Sequence, residues 1–402
     1  MGVPDEAALS SFVTHLESAL DGTTLPADRV QTTHRDRPLW VRYDLDAIRK
    51  SVKRDDLDGR PRTMWRYREL LPPSLDQDIV SLGENMTPLL PCPRLGEALG
   101  LKHLWIKDES VLPTGSFKAR GMAMAVTMAR RFGIKRVAIP TAGNAGGALA
   151  AYAARAGMES FVFMPRDTPV VNRYETAFYG AKTSLVDGLI SDCGRIVREG
   201  AAEHGWFDMS TLREPYRLEG KKTMGLELAE QMDWHLPDAV FYPTGGGTGL
   251  VGMWKAFDEL ARLGWLETDI RPRMFSCQSS GCAPIVTAFE QGAEFAEPAV
   301  NPHTVAAGLR VPGAVGDFMI LRAIRASGGR AMAADEQRLP EWMQLVARLE
   351  GISLCPEAAT CVGTLGRAVA EGLVGANERV VLFNTGAAQK YVEVLADLSD
   401  RQ

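Results

Sequence analysis

A single lysine, Lys118, ends the run Pro113-Thr114-Gly115-Ser116-Phe117-Lys118, between an apolar stretch at 104–108 and an apolar helical pattern at 121–132. An amine on the first turn of a helix feels the positive end of the backbone dipole, which disfavours its ammonium form. Burial in an apolar pocket acts in the same direction. Lys118 is therefore placed to work as a free amine, the form that adds to a carbonyl carbon and makes a Schiff base. Taken alone, the same residue would equally suit the solvated face of an amphipathic helix.

Three further segments carry groups that chemistry needs. In Thr141-Ala142-Gly143-Asn144-Ala145-Gly146-Gly147, the Asn144 amide can cap a helix or face a flat ligand, and the small residues after it permit close approach. In Pro243-Thr244-Gly245-Gly246-Gly247-Thr248-Gly249, successive backbone N–H groups at a helix start converge on an anion, a phosphate above all. The same loop satisfies G-x-G-x-x-G through Gly247, Gly249 and Gly252, with Glu267 downstream, the fingerprint of a nicotinamide dinucleotide site. It also suits a plain tight turn. In Asn384-Thr385-Gly386-Ala387, the Thr385 hydroxyl can bond a ring nitrogen or close its own turn. An amine, an amide, an anion cradle and a hydroxyl are together what pyridoxal phosphate requires. A nicotinamide oxidoreductase would leave Lys118 without a role.

These segments need a frame that brings them to one place. Short apolar runs at 104–108, 137–140, 161–164, 184–187, 239–242, 274–277 and 379–383 read as strands. Helical patterns at 121–132, 144–156, 170–179, 191–203, 219–233 and 250–262 alternate with them. Such alternation predicts an α/β fold with mostly parallel, open twisted sheets and helices on both faces. Ligands of that architecture sit beyond the carboxyl ends of the strands, and all four segments follow a strand.

With 402 residues the chain has material for more than one domain. Its net charge of -5 argues against nucleic acid or an anionic membrane surface as the main partner. No run approaches the ~20 apolar residues that span a bilayer. The start, Met1 to Glu6, is acidic and lacks the order of a signal peptide, and Glu6 stands where acylation of Gly2 calls for Ser or Thr. A cytoplasmic protein is expected. The six cysteines and six histidines are dispersed, with no spacing that suits a metal.

On Ser116-Phe117-Lys118, the segment 141–147, Glu219-Gly220-Lys221-Lys222-Thr223, the segment 244–249, Asn384-Thr385-Gly386 and the segment 83–89, the sequence resembles the tryptophan-synthase-β-like (fold type II) pyridoxal-phosphate enzymes. Within them it is similar to the threonine synthase-like members, over about Leu39 to Tyr391. The resemblance implies a cofactor between a large and a small domain and a homodimer. It implies Lys118 as the Schiff-base lysine and proton shuttle, beside Phe117. Asn144 would contact the cofactor ring oxygen, and Gly245, Gly246, Gly247, Thr248 and Gly249 would hold its phosphate. Thr385 would face the pyridine nitrogen, where a neutral hydroxyl makes a weaker electron sink suited to elimination and replacement. Ser116, Thr141 and Arg217 would bind an amino-acid substrate, Arg217 taking its phosphate. The implied reaction converts O-phospho-L-homoserine and water to L-threonine and phosphate.

Several features depart from that pattern. Many relatives carry an N-terminal zinc ribbon; here residues 1–65 keep a tail like its last segment, Arg37 to Ile48, but no cysteine precedes Cys92. This region is expected to be an extension or oligomer arm without metal, ahead of a catalytic core at 66–395 with a smaller subdomain at about 120–220. Ala387-Ala388-Gln389 replaces a polar-Gly-Leu run, a change that would reshape the substrate pocket. Thr211-Leu212 replaces an Asn-Ser pair, with Arg213 either supplying charge or lying in solvent. These changes keep open a β-elimination or β-replacement activity, of the threonine/serine dehydratase or cysteate synthase kind.

Overall fold

The computed structural model describes residues 12–73 and 76–400. The acidic start around Gly2 lies outside the described residues. Six strands form the large sheet, in the order Arg330–Ala334, Arg273–Ser279, Ala239–Pro243, Arg379–Asn384, His103–Asp108 and Leu89–Pro91. Every pair is parallel except the last, where Leu89–Pro91 runs antiparallel along one edge. A second sheet of four parallel strands has the order Lys182–Val186, Glu159–Pro165, Arg136–Pro140 and Phe207–Asp208. The α/β architecture expected from the alternation is what the chain adopts.

The reason is visible in the central strands. All five residues of Ala239–Pro243 are buried, as a strand covered by helices on both faces must be. The helix Pro356–Ala370 packs against it, and the helices that carry the site segments are as deeply buried. Eleven positions of Lys118–Arg131, from Ala119 to Ala129, are buried in succession. The helix Asn144–Arg155 is rich in Ala and Gly and lets neighbouring elements approach closely. The lysine helix starts at Lys118, three residues before the apolar pattern that announces it, because Phe117 already turns into helical backbone.

In the two main sheets three strands escaped the sequence reading, the edge strand Leu89–Pro91 among them. Phe207–Asp208 is only two residues long, too short to alternate. Arg330–Ala334 is mostly alanine and is a strand by virtue of pairing with Arg273–Ser279.

The N-terminal region forms a third, antiparallel sheet of Thr24–Leu25, Val13–Ser18 and Leu39–Tyr43. Leu16, Leu39, Val41 and Tyr43 from it belong to the same hydrophobic cluster as the lysine helix. Tyr43 also donates its hydroxyl to Glu219, inside the helix Tyr216–Gln231, at 2.7 Å. Among the described residues no group of three His, Cys, Asp or Glu stands at metal-binding geometry, and no helix is long and apolar enough to cross a membrane.

Candidate active site

The strand ends deliver the four segments to one place. The turn carrying Lys118 is fastened to the end of the Arg379–Asn384 strand by the Phe117 N–H, which donates to the Thr385 carbonyl at 3.0 Å. A bridge between Ser116 and Gly386 adds to it. Lys390 closes the arrangement from the small-sheet side: its Nζ donates to the Thr114 carbonyl at 2.8 Å and to Glu175 at 2.6 Å.

A narrow pocket results. Phe117, Lys118, Asn144, Thr385 and the run from Gly245 to Gly249 line it. It opens, through Lys118, Asn144 and Gly246, into a wider cavity of about 180 Å³ whose wall includes Thr141. Burial, reinforced by the nearby Arg217 charge and opposed by Glu357, brings the Lys118 ammonium down to about 7. Near neutral pH this amine is half unprotonated. Its Nζ sits over the Phe117 ring, 4.0 Å from the centroid.

The glycines leave no room for side chains. A Cβ on Gly245 would come within 2.7 Å of the Gly308 carbonyl oxygen, and one on Gly249 within 1.9 Å of the Tyr242 hydroxyl. Gly247 has a φ of +78° and precedes the helix Thr248–Leu263. The first-turn amides of a helix have no intrahelical acceptor, so this cradle presents donors and a positive dipole end to an anion. Gly252 instead packs against the backbone of Lys221 and Lys222, and Glu267 pairs with Arg54 rather than joining the pocket. The dinucleotide fingerprint is thus dispersed in space.

Other expected residues are placed differently. Asn144 does not cap its helix; Gly143 occupies that position, and the Asn144 Nδ2 donates to the Tyr391 hydroxyl at 3.2 Å. Its Oδ1 is buried without a partner. Ser116 is fully buried, with its hydroxyl unpartnered, and Arg217 is 2% exposed with one guanidinium nitrogen on the Met209 carbonyl at 2.7 Å. Neither forms part of the cavity wall. Arg213, by contrast, does line the cavity. Ala387, Ala388 and Gln389 stay off both walls, Ala388 packing into the core beside Tyr391.

Sequence reasoning missed Glu357 and Tyr391. Glu357 lines the narrow pocket; one carboxylate oxygen accepts from Tyr391 Oη at 2.5 Å and from the Gly308 N–H at 2.8 Å. The other oxygen is buried and unpartnered. Since the Tyr391 proton is committed to Glu357, the tyrosine oxygen must accept from Asn144, which fixes the orientation of that amide. Lys221 is a further surprise. It is fully buried, has its Nζ over the Phe117 ring, 4.0 Å from the centroid, and donates to the Phe117 carbonyl. Burial first, then the Lys118 and Arg217 charges, push its ammonium well below the usual lysine range.

The residues present fit pyridoxal phosphate. The free amine, the side-chain-free anion cradle and the unpartnered buried atoms of Asn144 and Glu357 are complementary to an aldehyde, a phosphate and a polar ring.

Comparison with known proteins agrees. The family described as pyridoxal-phosphate dependent enzyme matches residues 80–386. A threonine synthase of Methanocaldococcus jannaschii is 37% identical over 88% of this chain and 86% of its own length. One of Methanosarcina acetivorans is 36% identical over 90% and 88%. In fold, the chain superposes on diaminopropionate ammonia lyase of Escherichia coli with a TM-score of 0.67 at 19% identity, covering 80% of this chain and 89% of that one. A glycine-cradled pocket around an activated lysine, on a fold shared with such enzymes and a sequence matched across its core, places this chain in the family of pyridoxal-phosphate-dependent enzymes.

Proposed function

We propose that this chain is a threonine synthase, converting O-phospho-L-homoserine and water to L-threonine and phosphate. When bound, the cofactor supplies the electron sink that stabilises negative charge on the substrate carbons. Lys118 holds it through its aldehyde carbon, and the loop from Gly245 to Gly249 holds its phosphate. Asn144, oriented by Tyr391 and Glu357, and Thr385 would contact the cofactor ring. Thr141 and the adjoining backbone N–H groups take the substrate carboxylate. Set free when the substrate's own amine takes its place, the Lys118 amine would remove the proton from the substrate α carbon and return protons further along the chain as phosphate leaves from the γ carbon and water adds at the β carbon.

The observation that carries the reading is the junction at Lys118, a lysine near neutrality shared between a phosphate-sized cradle and a cavity with a cationic wall. Relatives named threonine synthase, matched over most of both chains, support it. The same reading includes a homodimer in the cytoplasm, and six buried free cysteines suit a reducing compartment.

The test is phosphate release from O-phospho-L-homoserine by the cofactor-loaded protein, with amino-acid analysis of the products. Threonine and phosphate in equal amounts are expected. Loaded protein that ignores this substrate but releases a 2-oxo acid from serine or threonine would overturn the reading in favour of β-elimination.

A further inference from the structure

The wide cavity has a second, outer end that the groups around Lys118 do not explain. Its wall is made by the start of the helix Ile190–His204 and by the turn from Ser210 to Arg213. The charged side chains on the cavity wall are Lys118, Arg198 and Arg213, and no carboxylate lines it. Such a wall attracts an anion, the nearby carboxylates Asp36 and Asp208 standing outside it.

Arg213 is held in place, whereas Arg198 stands exposed at the rim. Arg198 folds back along its own helix, so that a Cβ on Gly194 would lie 3.2 Å from its Nη1. Arg213 donates from Nη1 to Asp36 at 2.9 Å, and its Nε is buried without a partner. The turn that presents it closes through the Arg213 N–H on the Ser210 carbonyl at 3.1 Å. Between them, Leu212 is 2% exposed with a φ of +60°, a conformation that a leucine keeps only where its surroundings impose it, as they do at ligand sites. Both arginines also lie in the field of the half-buried Asp208. Arg217 sits behind this wall, occupied by the Met209 carbonyl.

We propose that Arg213 and Arg198 read the phosphate of the substrate, with Arg213 held at the cavity by Asp36 of the N-terminal region. The inference rests on the threonine synthase reading only for the identity of that anion.

The probe is 2-amino-5-phosphonopentanoate, in which a methylene replaces the labile ester oxygen, titrated calorimetrically into the cofactor-loaded protein beside 2-aminopentanoate, which lacks the phosphonate. The wild-type protein is expected to favour the phosphonate. R213Q and R198Q should each lose roughly tenfold of that preference, as removal of a charged hydrogen bond does, while binding of 2-aminopentanoate stays unchanged. R213K, which keeps the charge but not the fork, should recover part of it. D36N should weaken the phosphonate alone, by a smaller factor, with an unaltered thermal midpoint. An undiminished preference in the R213Q/R198Q double variant overturns the proposal, as does its loss in R217Q with retention in R213Q. Phosphonate preference that depends on both arginines, without formation of threonine from phosphohomoserine, would leave the anion site standing and remove the reaction. Threonine formation at unchanged KM in the double variant would do the reverse.

Discussion

Lys118 owes its chemistry to its surroundings more than to its place on a helix. Burial, with Arg217 behind it, brings the amine to about 7, and the pH dependence follows in sign. In stripped protein the amine is protonated below about 7 and free above it. The rate at which visible absorbance develops on adding pyridoxal phosphate should therefore rise ~tenfold per pH unit up to about 7 and then flatten. A rate that keeps climbing to about pH 10 would return Lys118 to the ordinary lysine range. Lys118→Ala should abolish turnover. Lys221→Met removes a buried donor from the Phe117 carbonyl and should cost about 1–3 kcal/mol in denaturant stability. The lysine, Asn144, the glycine loop and Thr385 were legible in the sequence because each follows a strand and has a type that is costly elsewhere. Glu357 and Tyr391 were not. Glu357 reads as an ordinary first-turn acid after Cys355-Pro356, and Tyr391 lies 247 residues from the Asn144 that it orients.

At the scale of elements, buried charge joins what the sheets bring near. Arg120, on the lysine helix, donates to Glu109 after the His103–Asp108 strand and to Glu227 on the helix Tyr216–Gln231, at 2.6 Å each. Lys107 joins Glu227 from the strand itself at 2.9 Å. Burial alone would raise the Glu227 carboxyl, but Arg120 and Lys107 overcome it and hold it at about 2. A carboxylate depressed on folding contributes stability above its unfolded value, and that stability is lost as pH falls from about 4.5 toward about 2. Arg120→Gln should leave Glu227 and Glu109 short of a partner and cost about 3–5 kcal/mol, read as a lowered urea midpoint. Periodicity gave the helix around 219–233 without revealing these contacts. Fourteen positions of Tyr216–Gln231 are buried, charged ones included, so this helix has no polar face for a pattern to find.

The whole molecule is tied together by its N-terminal region. The charged composition of residues 1–60 suggested an appendage, yet the strand Leu39–Tyr43 closes over a buried cluster in which Glu219 faces Lys222 at 2.6 Å and Lys255 at 2.8 Å. Composition concealed this because the buried residues of Leu39–Tyr43 are every second one, too few in a short strand to stand out. Tyr43→Phe deletes the hydroxyl on Glu219 and should lower stability by about 1–2 kcal/mol in thermal or urea unfolding, with kcat unchanged. The close approach of Gly249 to Tyr242 has a consequence of another kind, for how such a chain drifts over generations. The Tyr242 hydroxyl is buried without a partner and occupies the space that any side chain at position 249 would need. Position 249 is not free to change first: a methyl there waits on the loss of that hydroxyl and of the ring edge that carries it, 2.2 Å away at Cζ. Among descendants of this sequence, alanine at 249 should be found only beside a smaller residue at 242, two positions inherited as one.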